Sequence, residues 1–201
     1  MHIGLDFDNT IVSYDSLVHR VAEEQGLLTG PVARNKVAVR DHLRAKGLEQ
    51  TWIELQGTIY GPRMEDATAF PGFLDFVGAA LSAGHVVSIV SHKTIHPFAG
   101  PPYDLHASAR RWIATHIMRN GLPALPTDRI FFETTKPAKI ARIDAIGCDV
   151  FVDDLPEILL DPAMPATVRK LLFDPESHYI DTYPGLTKIA GWSDLLGALD
   201  A

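Results

Sequence analysis

A single cysteine, Cys148, is all the thiol this 201-residue chain carries, so no intrachain disulfide can staple it. A reducing compartment is expected. Runs of Lys and Arg are also missing: 18 basic residues face 25 acidic ones, for a formal net charge of −7. A nucleic-acid polymer is therefore disfavoured as partner, because neutralising its phosphates takes clustered cations. A small anion is not, since one pocket can be positive inside an acidic protein. No apolar run is long enough to span a bilayer. The chain opens on a strand-like segment rather than the basic and apolar regions of an export signal, so a cytoplasmic protein with no membrane partner is expected. No HExxH or similar histidine spacing occurs, and no zinc site is expected. Internal repeats and low-complexity segments are absent.

What is present is enough for a sizeable core. Hydrophobic residues make up 46% of the chain, which fits one domain, or one domain with a small insertion. Residues 2–5 read as a short strand. Segments 16–25, 32–46 and 49–58 carry apolar residues at helical spacing. From residue 70 onward the pattern alternates: helix 73–83, strand 85–91, helix 105–119, strand 129–133, helix 137–146, strand 149–152, strand 170–174 and a terminal helix 193–199. Such alternation implies an α/β fold, a doubly wound parallel sheet of Rossmann-like type with helices on both faces. Residues 15–66 interrupt it, being helical without a strand. They are expected to form a small helical cap inserted after the first strand, with residues 1–14 and 67–201 as the core.

Parallel sheets bind ligands at the carboxyl ends of their strands, and polar residues collect there. "HIGLDFDNT" runs from the first strand into Asp6 and Asp8. Strand 85–90 ends in Ser91. Strand 149–152 ends in Asp153 and Asp154, and Lys136 and Lys139 stand just after strand 129–133. Acids so close together repel unless a positive charge sits among them. Oxygen donors with few nitrogen or sulfur donors favour Mg²⁺, which bridges carboxylates to phosphate.

The motifs "LDFDNT", an apolar strand ending in Ser91, a downstream lysine and "FVDDLPE", in that order, resemble the haloacid dehalogenase (HAD) superfamily. The resemblance covers residues 1–14 and 70–201. It implies a phosphatase-type hydrolase in which Asp6 is the nucleophile that becomes an aspartyl-phosphate. Asp8 would be the general acid and base. Mg²⁺ would be held by the Asp6 carboxylate, the backbone carbonyl of Asp8 and Asp153, with Asp154 acting directly or from behind. Ser91 and the following N–H would hold phosphoryl oxygens, the lysine would neutralise charge, and Thr10 would orient the loop. Both lysines fit the family's spacing, and similarity to a subgroup that retains the later one favours Lys139. Dehalogenases of the superfamily lack an acid at the position of Asp8, so its presence favours phosphoryl transfer.

The expected activity is Mg²⁺-dependent hydrolysis of a small phosphorylated metabolite. The alternatives are a phosphotransferase or mutase of the same superfamily, or a phospho-ligand-binding regulatory protein without turnover. His92 and Lys93, with His96 and Tyr103, belong to a Gly- and Pro-rich loop expected to overhang the site, so His92 and Lys93 are candidate substrate contacts. Trp52 and Tyr60 are equally candidates for cavity lining and for the cap's own core. Cys148 reads as inert core.

Overall fold

The computed structural model describes residues 1–199. In chain order its elements are β1 (His2–Leu5), β2 (Val12–Ser13), α1 (Asp15–Glu24), α2 (Lys36–Ala45), α3 (Glu49–Tyr60), β3 (Thr68–Ala69), α4 (Phe73–Ser82) and β4 (Val86–His92). Then follow α5 (Leu105–His116), β5 (Met118–Arg119), β6 (Leu122–Pro123), β7 (Ile130–Glu133), α6 (Lys136–Ala145), β8 (Val150–Asp153), α7 (Pro156–Leu159), β9 (Arg169–Phe173), β10 (Leu186–Ile189) and α8 (Trp192–Leu199). Among the described residues no helix is long and apolar enough to cross a membrane.

The chain divides into two compact units. The first comprises Met1–Val12, Ala69–Lys93 and residues from Ala114 onward. Its centre is a six-stranded sheet in the order β10-β9-β8-β1-β4-β7, every pairing parallel. This is the doubly wound α/β architecture that the alternation of strand and helix predicts. The strands are short and apolar because they are covered on both faces. Along β4, Val87, Ser88, Ile89, Val90 and Ser91 are all buried. One apolar cluster joins Ile140 and Ile143 of α6 to Phe151, Ile158 and Leu172. An aromatic cluster is built around Trp192, whose ring lies 4.9 Å from Phe73, 5.0 Å from Phe76 and 5.3 Å from Phe173.

Register fixes where the strands end. Leu5 of β1 stands beside Ile89 of β4 and Val152 of β8. The residues that follow, Asp6, Val90 and Asp153, therefore come level at one rim of the sheet. The Asp6 N–H donates to Val152 O at 2.9 Å and continues the ladder one step past β1. Neighbouring parallel strands are only about 4.8 Å apart, so residues remote in sequence meet there. Gly4 lets β1 lie in its central position. A Cβ there would stand 2.6 Å from Phe151 Cδ2 and 2.7 Å from Cys148 Sγ.

The second unit comprises Ser13–Thr68 together with Thr94–Ile113. Helices α1, α2 and α3 bury Leu17, Val18 and Val21, then Val39 and Leu43, then Leu55 and Ile59. Trp52 is buried, and the Tyr60 ring meets Tyr14 edge-on at 4.8 Å. Trp112 of α5 donates from Nε1 to Ala67 O at 3.0 Å.

Several features depart from the sequence reading, among them the helix expected over 105–119, which ends at His116 before the short strand Met118–Arg119. Helix α2 begins at Lys36 rather than at 32, because Asn35 is extended and its side chain caps the Ala38 N–H at 2.7 Å. The short α7 follows Asp154. A sixth strand, β10, pairs with β9 at the sheet edge.

Candidate active site

Each candidate residue reaches the rim by a local device. After β1 the backbone turns sharply: the N–H groups of Ile11 and Val12 both donate to Phe7 O, and the Asn9 N–H donates to Val12 O. Asn9 takes a positive φ of 59°, a conformation asparagine tolerates better than most residues. On β8, Asp153 is fully buried, and its Oδ1 accepts the Leu155 N–H at 3.0 Å. Helix α6 begins at a Thr135 cap on the Ala138 N–H, with Pro137 in its first turn. Lys139 sits on its inward face with Ile140 and Ile143.

These devices bring together three carboxylates and one ammonium. Asp6, Asp153 and Asp154 each present a carboxylate oxygen within 4.8 Å of the others. Lys139 Nζ lies 2.6 Å from Asp6 Oδ1 and 2.5 Å from Asp153 Oδ2. It is 2% exposed, and Asp6 is 4% exposed. Thr10 is buried beside them, its Oγ1 3.5 Å from Asp154 Oδ1.

The electrostatics follow from burial. Loss of solvent pushes Asp6 up to about 7; Lys139 opposes the shift, and the neighbouring Asp153 and Asp8 add to it. Burial alone would lower Lys139, but Asp153 and Asp6 outweigh it and hold the ammonium above the ordinary lysine value. One ammonium touches two of the three clustered carboxylates. A hard divalent cation fits the all-oxygen donor set of the three.

Beside the cluster lies a cavity of about 110 Å³ lined by Asp6, Asp8, Ser91, His92, Lys139 and Asp154, among others. Since a water takes roughly 30 Å³ of liquid, this is room for three or four waters, or for one phosphoryl-sized group. The Ser91 hydroxyl is buried and has no hydrogen-bond partner among the described residues. A buried unpaired hydroxyl is costly, and a bound oxygen would satisfy it.

The remaining candidates are placed differently from one another. Lys136 also lines the cavity, but its ammonium pairs with the exposed Glu157. His92 Nε2 meets Thr134 O at 3.2 Å. The Asp8 carboxylate lies outside the metal-competent cluster; Lys93 Nζ meets its two oxygens at 3.0 and 2.8 Å. A ligand role for Asp8 through its backbone carbonyl is untouched by this. The Lys93–Asp8 pair is the feature the sequence reading missed, because 85 residues separate the two.

No family model matches the sequence. No curated protein matches it either. Solved structures do match, over nearly the whole chain. An L-2-haloacid dehalogenase superposes with a TM-score of 0.60 at 13% identity, covering 100% of this chain and 98% of that one. CbbY from Rhodobacter sphaeroides, in complex with phosphate, gives 0.56 at 15% identity, over 100% and 99%. YfnB from Bacillus subtilis, described as a HAD hydrolase and bound to magnesium, gives 0.54 at 15% identity, over 100% and 98%. The chain has the HAD-hydrolase fold. At these identities the likeness concerns the fold. Within the HAD fold, Asp6 follows the central strand, and Ser91 and Asp153 sit on the strands to either side of it.

Proposed function

We propose that this protein is a Mg²⁺-dependent phosphatase that hydrolyses a small phosphorylated metabolite through an aspartyl-phosphate on Asp6. The observation that carries the reading is the cluster of Asp6, Asp153, Asp154 and Lys139 beside a small cavity lined by Asp6, Lys139, Asp154 and Ser91, the Ser91 hydroxyl being buried without a partner among the described residues.

Asp6, Asp153 and Asp154 are the residues that would hold Mg²⁺, with the Asp8 carbonyl as a further donor. When bound, the ion supplies positive charge to the phosphoryl oxygens and favours ionised Asp6. The chain's own groups do the rest. Asp6 attacks phosphorus, and the bond from phosphorus to the leaving oxygen breaks. Asp8 gives that oxygen its proton. Water then attacks the aspartyl-phosphate, Asp8 takes the water's proton, and inorganic phosphate departs with Asp6 restored. Ser91 donates to a phosphoryl oxygen, while Lys139 balances charge on Asp6 and the phosphoryl group.

An L-2-haloacid dehalogenase shares the fold, but Asp8 favours phosphate over halide chemistry: departing halide needs no proton, whereas a departing alkoxide does. The CbbY structure holds phosphate and the YfnB structure magnesium, which supports the same choice.

The test is inorganic phosphate release from a panel of phosphorylated metabolites and from p-nitrophenyl phosphate, with Mg²⁺ present. Turnover by the wild type, its loss in Asp6→Asn, and reversible silencing by EDTA are expected. Unimpaired turnover by Asp6→Asn rules the mechanism out. Transfer of phosphate to a second metabolite faster than to water points to a phosphotransferase, and metal-dependent binding without turnover to a regulatory protein.

A further inference from the structure

We infer that Lys93 is a positioning residue for Asp8: its ammonium, held by both Asp8 oxygens, sets the orientation in which that carboxyl group hands a proton to the leaving oxygen. The inference rests on the phosphatase reading and adds to it a residue that acts through the acid rather than on the substrate.

Lys93 is 4% exposed. It stands one residue past β4, where its N–H donates to Glu133 O at 2.8 Å. Its Nζ lies 2.8 and 3.0 Å from the two Asp8 oxygens and 5.7 Å from the centroid of the Phe7 ring. Asp8 is fixed from the other side by the tight turn through Asn9. Contact with both oxygens fixes the plane of the carboxylate, which contact with one would leave free to rotate. Among the described residues lining the cavity, Asp8 appears and Lys93 does not. Burying an ammonium is costly unless it is paired, so a lysine here serves the carboxylate it meets.

A structural brace and a positioning residue make different predictions about leaving groups. A nitrophenolate departs with little help from an acid; an alkoxide depends on one. For Lys93→Met, kcat/KM on an alkyl phosphate should fall by about 10²-fold or more, and on p-nitrophenyl phosphate by less than about tenfold. Lys93→Arg, which keeps the charge, should recover part of the alkyl-phosphate activity. In an Asp8→Asn background, Lys93→Met should add little further loss, because the two residues act as one unit. Equal losses on the two substrates, or losses that multiply with those of Asp8→Asn, overturn the inference while leaving the phosphatase reading intact. Failure of the wild type to release phosphate from either substrate defeats the phosphatase reading, and the inference with it. Thermal melting of each variant checks that it folds; should Lys93→Met not fold, the leaving-group comparison is made with Lys93→Arg, and equal losses there count equally against positioning.

Discussion

Lys139 Nζ stands 2.6 Å from Asp6 Oδ1, although 133 residues separate the two. The contact ties α6 to the end of the central strand, and a second one at 2.5 Å ties it to Asp153. All three groups are nearly out of water. Removing the cation leaves two buried carboxylates facing each other, and breaking such a pair typically costs about 3–5 kcal/mol. Lys139→Met should therefore lower the melting temperature of the metal-free protein, and Mg²⁺ should restore part of it. Phosphate release should fall by about 10²–10³-fold, as when a preorganised donor to a developing charge is removed.

Lys136 provides the contrast. Its partner, Glu157, is 59% exposed and Lys136 itself 46%, and exposed pairs contribute about 0–1 kcal/mol. Lys136→Ala should change stability by no more than about 1 kcal/mol and leave turnover within about fivefold. Steady-state kinetics on both lysine variants, side by side, makes the comparison.

The raised Asp6 gives a pH dependence with a definite sign. Its ordinary value is 3.8, and burial pushes it up to about 7. Between those values the folded metal-free protein keeps a proton on Asp6 that the unfolded chain has released. Stability contributed by this group is thus full below the ordinary value and is lost as the pH rises toward 7. Mg²⁺ favours the carboxylate, so the gain in melting temperature on adding Mg²⁺ should grow over the same window. Melting curves from pH 4 to 8, with and without Mg²⁺, check it. Asp6→Asn should flatten the metal-free trend.

How much of this could be read from the sequence depended on range. Buried strands such as "HVVSIVS" declare themselves by β-branched residues, and an aspartate straight after one is legible as a rim residue. Strand β10 was not legible: it lies at the edge, Thr187 and Lys188 are exposed, and it is kept in place by pairing with β9 rather than by its own pattern. The start of α2 was misread because a periodic pattern does not reveal that Asn35 is extended. In the site, the acids were visible as types, but the choice of partner was not. Lys136 and Lys139 differ only in which face of α6 they occupy, and the pairing of Lys93 with Asp8 is a consequence of register between β1 and β4.

Gly4 tests the packing of β1 against β8. An added methyl would sit 2.6 Å from Phe151 Cδ2 and 2.7 Å from Cys148 Sγ, both buried in the same core. Overpacking of this kind costs about 1–3 kcal/mol. Gly4→Ala should lower the denaturant midpoint with the m-value unchanged. Because Asp6 follows two residues later, the variant should also lose activity beyond what its stability explains.

Ser91 sets stability against function. Its hydroxyl is buried without a partner among the described residues, and an unsatisfied polar group of this sort costs about 1–3 kcal/mol, most of it recovered when the group is removed. Ser91→Ala should then leave the metal-free protein as stable as the wild type, or more so, in spite of removing a core atom. If the hydroxyl is kept for a phosphoryl oxygen, the same substitution should reduce kcat/KM for phosphate release by about 10²-fold and weaken competitive inhibition by inorganic phosphate. Ser91→Thr, which keeps the hydroxyl but adds a methyl, should bind phosphate better than Ser91→Ala while being less stable, since residues Val87 to Ser91 of β4 are all buried. Melting temperature and phosphate inhibition, measured on the three proteins together, separate a group retained for binding from one retained for packing: the first makes the two quantities move in opposite directions, the second makes them move together.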